Sequence, residues 1–123
     1  MKKVNAQNAP AAIGPYSHAM VTNGLVFTSG QIPVSAQTGA VVAGGITEQA
    51  EQVMKNISVV LAEAGSSMER VVKTTCFLAD MADFAAFNEV YGRYFTEKPA
   101  RSCVAVKTLP KDVLCEVEVI AEG

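Results

Sequence analysis

VVKTTCFLADMADFAAFNEVYGRYFTEKPARSCVAV, Val71 to Val106, reads as strand, helix, strand, and that reading decides the fold. Val71 to Leu78 is β-branched and apolar on both faces, the pattern of a buried central strand. Asp80 and Asp83 are alternative N-caps for a helix whose apolar stripe is Phe84, Phe87, Tyr91, Tyr94 and Phe95. Asn88 lies in that stripe, where a polar side chain must find partners, either internal backbone groups or a site. Lys98-Pro99 closes the helix region. Arg101 then stands at the mouth of an alternating run, with Arg101, Cys103 and Ala105 on one face and Ser102, Val104 and Val106 on the other. A guanidinium fixed on a strand can hold a carboxylate, because its fork of donors is planar and always charged. A solvated strand end or a structural ion pair is the plainer role.

Upstream, Asn23-Gly24 separates Ser17–Thr22 from Leu25–Ser29. That pair is a strong hairpin signal, because both turn positions need positive φ. Residues 1–15 read as an irregular lead-in punctuated by Pro10, Gly14 and Pro15, and Ala40 to Ala43 as a short third strand. Thr47 is a candidate N-cap for a helix with Glu48 and Glu51 in its first turn. Its stripe is Ala50, Val53, Met54, Ile57, Val60, Leu61 and Ala64, and Gly65 suits the C′ position. Downstream, a turn at Leu109-Pro110-Lys111-Asp112 leads to a last strand, Leu114 to Ala121, as the second arm of a terminal hairpin. The order β-β-(β)-α-β-α-β-β predicts an α+β fold, one sheet with both helices on one face.

The chain of 123 residues is 50% apolar and 18% charged, with a formal net charge of −2. Globular chains carry about 25% charged residues, so a subunit of an oligomer is expected, one that covers the free sheet face with a partner. One domain spanning 1–123 is expected. The acidic balance, and the lack of a basic run with interleaved aromatics, argue against a nucleic-acid backbone as the main partner. Cys76, Cys103 and Cys115 form no CxxC and have only His18 as a companion, which predicts neither a metal site nor a disulfide framework. No signal-peptide h-region and no membrane-length apolar run occur, so a cytoplasmic protein is expected.

In the last strand, Glu116 and Glu118 share a face. Whether Arg101 and Cys103 face the same way depends on the register of the terminal hairpin, which the loop does not decide. A pairing near Ala105 with Glu116 leaves Arg101 roughly 14 Å along the strand. A common site would then need bending, a long reach, or geometry completed by another subunit. His18 reads as a structural histidine, and Cys103 as an inert small residue more than a thiolate.

GPYSHA (14–19), FTSGQIPV (27–34), VLAEAGSS (60–67), VVKTTCFLADMADFAAFNEVYGRYF (71–95), PARSCVAVKTLP (99–110) and CEVEVIA (115–121), taken together and in order, resemble the RidA/YjgF/UK114 family of reactive intermediate deaminases. The resemblance implies a chorismate-mutase-like α+β fold, a single mixed sheet with two helices on one face, and a trimeric barrel with sites between subunits. It also implies cofactor-free hydrolysis of enamines and imines, such as 2-aminoacrylate and 2-iminopropanoate, to 2-keto acids and ammonia. On that resemblance Arg101 holds the substrate carboxylate, Glu116 activates water, and Tyr16, Ser29, Gly30, Asn88 and Cys103 line the pocket. A noncatalytic keto-acid binding module and an RNA- or translation-related interaction protein are the competing readings.

Overall fold

Asn23 and Gly24 have φ of 51° and 74°, and between them they turn β2 (Ala19–Thr22) back onto β3 (Leu25–Thr28). The structure, a computed structural model, describes residues 1–123. The remaining elements are β1 (Lys2–Val4), α1 (Ile46–Glu63), β4 (Val71–Leu78), α2 (Phe84–Tyr94), β5 (Ala100–Ala105) and β6 (Cys115–Glu122). The six strands form one mixed sheet in the order β1-β2-β3-β6-β4-β5. Both helices pack on the same face of it, as the sequence predicts, and neither is long and apolar enough to cross a membrane.

The expected terminal hairpin does not form. β5 pairs with β4 in parallel, with Thr74 opposite Arg101 and Cys76 opposite Cys103. β6 is antiparallel to both β4 and β3, and so lies inside the sheet. α2 accounts for the first of these pairings. Once its apolar stripe is buried on the sheet, the chain must return in the direction of β4, which is the geometry of a crossover. Loop length accounts for the second. Residues 106–114 are longer than the roughly 2–5 residues of a β-hairpin loop, and they include a 3₁₀ turn in which Lys111 and Asp112 take φ of 56° and 54°. They carry the chain past β4 to the gap beside β3.

The other departures are local. The lead-in contains a short edge strand, since β1 pairs with β2. The expected strand over Ala40–Ala43 is reduced to one isolated bridge, Val34 with Val41. α1 is capped at Gly45, not Thr47, with the Glu48 carboxylate accepting from the Gly45 N–H at 2.8 Å. Asp80 accepts from the Ala82 N–H at 2.9 Å and caps a 3₁₀ turn, while Asp83 holds the N-cap position of α2 without a side-chain bond. Gly65 does take the C′ role, with φ of 82°.

β4 is buried on one face only. Thr74, Cys76 and Leu78 meet the helices together with Val117, Val119, Phe87, Met54 and Ile57. Phe87 and Ile57 are fully buried, and truncating such a side chain to Ala typically costs about 2–5 kcal/mol. The opposite face, left open in the single chain, carries Phe27 (39% exposed) and Val104 (47%) beside Phe77 and Ile120. Val72, 43% exposed, sits at a register shift in β4.

Candidate active site

Arg101 and Glu116 lie on opposite faces of the sheet. Arg101 shares a cross-strand row, and the helix-side face, with Thr74 and Val119. Glu116 shares a row on the open face with Phe77 and Val104. Glu118 is on the Glu116 side and Cys103 on the Arg101 side, so these four residues do not converge within one chain.

At the Arg101 corner, α2 presents Phe84, Asn88 and Tyr91 at spacings of four and three, one above another. The guanidinium carbon stands 4.7 Å from the Tyr91 ring centre and 5.4 Å from that of Phe84. Nη1 donates to Asn88 Oδ1 at 2.7 Å. The tyrosine hydroxyl is hydrogen-bonded to the buried Thr74 hydroxyl at 2.7 Å. No carboxylate pairs with Arg101, since the only ion pair in the chain is Arg93 with Glu51 at 3.5 Å. The corner opens into a cavity of about 340 Å³, whose lining includes Asn88, Tyr91, Lys98 and Arg101. Cys103 is half-buried next to this corner. Burial pushes its thiol up against the pull of Arg101, and burial pushes Cys76 up to about 12. In both, burial favours the thiol over the thiolate.

The Glu116 corner is built differently. β6 meets the chain after β3 through a bridge between Gln31 and Val117, which brings Glu116 against Gly30. A Cβ on residue 30 would stand 2.0 Å from Glu116 Oε2, so any larger residue there would displace the carboxyl from this position. Burial pushes the Glu116 carboxyl above the ordinary carboxylate range, and the Glu118 charge adds to the push. The carboxyl lines a cavity of about 700 Å³ with Tyr16, Ser29, Ile32 and Lys111. Tyr16 is half exposed at this cavity. The Ser29 hydroxyl is spent on the Ser17 carbonyl at 2.6 Å and fixes the wall.

His18 also borders this cavity, but its ring is engaged at both nitrogens. Nδ1 accepts from the Ala6 N–H at 3.0 Å and Nε2 donates to the Pro10 carbonyl at 2.8 Å. This is the structural histidine expected from the sequence, and it holds the N-terminal segment over the cavity. Asn56 does the same for the far wall, donating from Nδ2 to the carbonyls of Ile32 and Val34, both at 3.0 Å. Asn56 went unnoticed in the sequence because it sits beside the apolar stripe of α1 without breaking it.

The two cavities share no residue. Tyr16, Ser29, Gly30 and Glu116 are brought together at one, and Asn88 and Arg101 at the other, with Cys103 beside them. Phe84 and Tyr91 were read from the sequence only as core. Their spacing around Asn88 was the available signal for their place beside the guanidinium. Thr74 had no signal of its own.

A protein-family model described as Endoribonuclease L-PSP matches residues 6–123. The chain is 52% identical over 99% of its length to a putative regulator, AldR, of Lactococcus lactis, covering 98% of that protein. It is 48% identical over 98% of its length to the 2-iminobutanoate/2-iminopropanoate deaminase of Salmonella typhimurium, covering 96% of it. The crystal structure of E. coli TdcF with bound serine superposes with a TM-score of 0.95 at 44% identity, covering 100% of this chain and 99% of that one. The mixed six-stranded sheet, the two helices on one face and these matches agree, and the chain belongs to the Endoribonuclease L-PSP family, also called the YjgF/RidA family.

Proposed function

We propose that this chain hydrolyses imines of 2-keto acids to the keto acid and ammonia, at sites assembled between copies of itself. Arg101 comes from one copy and Glu116 from the next. The observation that carries the reading is the separation of two unmatched charges. Arg101 is a fixed guanidinium with no carboxylate partner, and Glu116 is a half-buried carboxyl with no cationic partner in a hydrogen bond or ion pair. The sheet holds them on opposite faces of one chain. A substrate bearing one carboxylate and one electrophilic carbon supplies what both lack, provided a second copy brings the other corner alongside. The apolar open face, with Phe27, Phe77, Val104 and Ile120, is the surface such a copy would cover. The deaminase name of the Salmonella relative supports the reaction class.

In this reading Arg101 takes the substrate carboxylate in a two-point grip and sets the C=N carbon in place. Asn88, Cys103, Tyr16, Ser29 and Gly30 border the bound molecule. An enamine such as 2-aminoacrylate enters as its imine tautomer. Water attacks the C=N carbon, Glu116 takes a proton from the water and passes it to the nitrogen, and the neutral carbinolamine, bearing one hydroxyl and one amino group, results. Glu116 then takes the hydroxyl proton and delivers it to the amino nitrogen as the C–N bond breaks, so that ammonia departs, the oxygen becomes the keto carbonyl, and Glu116 is left as the carboxylate it began as. The raised pKa of Glu116 suits this task, since a carboxyl with a higher proton affinity is a stronger base.

Mixed assemblies test the proposal. Arg101→Ala and Glu116→Gln are prepared separately, then unfolded and refolded together. Release of 2-oxobutanoate from enzymatically generated 2-iminobutanoate is followed. In a symmetric ring of equal parts, about a quarter of the sites join an intact arginine to an intact glutamate. Recovery toward a quarter of parental activity is expected, with light scattering giving about three times the 12.9 kDa chain. A mixture no more active than the separate variants would overturn the shared site, and an active monomer would overturn the assembly.

A further inference from the structure

We infer that Tyr91 and Thr74 are positioning residues for the carboxylate grip, acting through the plane of the Arg101 guanidinium. The inference rests on the function proposed above and adds to it two residues that need touch no substrate. A guanidinium grips a carboxylate at two points only when its plane faces the carboxylate, so the rotation of that plane matters as much as its charge. One bond to Asn88 Oδ1 at 2.7 Å fixes one edge of the guanidinium and leaves rotation about that edge free. The flat ring of Tyr91, 4.7 Å from the guanidinium carbon, supplies the second constraint. The ring is buried between Phe87 and Phe95, with centres 6.0 and 4.6 Å away, at the border of the 340 Å³ cavity, and its hydroxyl end has a polar anchor besides this packing. That anchor is the 2.7 Å bond between its hydroxyl and the hydroxyl of Thr74.

Thr74 is fully buried and stands opposite Arg101 on the neighbouring strand. A hydroxyl on the strand, a ring on the helix and a guanidinium on the next strand thus close a loop of contacts around the base of the Arg101 side chain. Packing alone does not account for the pair. An apolar side chain at residue 74 would fill the same buried space beside Cys76 and Val119 without burying a hydroxyl that has to be satisfied.

The experiment is a double-mutant cycle on binding of 2-oxobutanoate, read by calorimetry, with kcat and KM for generated 2-iminobutanoate beside it. Tyr91→Phe keeps the ring and loses the anchor, and Thr74→Val keeps the volume and loses the hydroxyl. Each should weaken 2-oxobutanoate about three- to tenfold and act mainly on KM, while Thr74→Ser restores near-parental affinity. In an Arg101→Ala background the same changes should have no further effect, because the group they orient is gone. A loss of equal size in both backgrounds, or an unchanged affinity in Tyr91→Phe and Thr74→Val, would overturn the positioning role and leave the grip itself standing. If Arg101→Ala binds 2-oxobutanoate as the parent does, the grip is overturned and the positioning role with it. Should Thr74→Val fail to fold, Tyr91→Phe carries the cycle alone with the same outcomes.

Discussion

The Arg101 corner and the Glu116 corner carry opposite charges and are made by opposite means. Arg101 is held by side chains, with an amide and two aromatic rings from α2 around a guanidinium that needs no neutralising acid. Glu116 has no side-chain partner of that kind and lies against the bare backbone of Gly30, with no cation to ease its burial. Under the proposed function one corner is therefore a recognition device, rigid and permanently charged. The other is a titrating device, whose carboxyl is kept reluctant to ionise by burial and by Glu118. A permanent cation and a carboxyl of raised proton affinity thus stand in separate corners of one subunit, and under the proposed function binding falls to one corner and proton transfer to the other.

Glu116→Gln should break the titrating corner alone. General-base contributions run at about 10²–10⁴-fold, so turnover of 2-iminobutanoate should fall by that order, while 2-oxobutanoate still binds in calorimetry. Unchanged turnover in the folded variant would make Glu116 a structural residue and leave the water to other groups.

Arg101→Ala should break the recognition corner, with a somewhat smaller effect. Truncating one member of a buried charge pair costs about 2–5 kcal/mol, which at about 1.4 kcal/mol per tenfold is roughly 30- to 4,000-fold in kcat/KM. Arg101→Lys keeps the charge and loses the planar grip, so only partial recovery is expected. A lysine variant as active as the parent would reduce the aromatic and amide contacts around Arg101 to incidental packing.

The smallest effect sharpens the contrast and is read from pH. Glu116 must be ionised to take a proton, and its folded pKa is raised, so the acid limb of kcat/KM should lie above the range of an ordinary carboxylate. Glu118 is one of the two causes of that rise. Glu118→Gln removes a like charge and should move the limb to lower pH, with little change in the plateau. A limb that does not move would assign the rise to burial alone.

Much of this was legible in the chain, and the division has a physical basis. The sequence alone determined the hairpin at Asn23-Gly24, the stripes of α1 and α2, the glycine that ends α1 and the alternation of β6, because turn chemistry and side-chain periodicity act over a few residues. It also marked Arg101 as the charge at the mouth of an alternating strand, left Glu116 and Glu118 as two acids sharing a face, and preferred Glu116 only through the segments that resemble the YjgF/RidA family. What it left open was which strands pair. The terminal hairpin was the natural expectation, since neighbours in sequence usually pair, yet α2 returns β5 alongside β4 and the long loop 106–114 delivers β6 between β3 and β4. Only the tertiary structure decided that Arg101 and Glu116 lie on opposite faces, that Thr74 anchors Tyr91, and that Gly30 yields its space to a carboxylate. Each of these depends on segments far apart in the chain meeting at a fixed register, and a register is set by the burial of whole faces together, which no local pattern encodes.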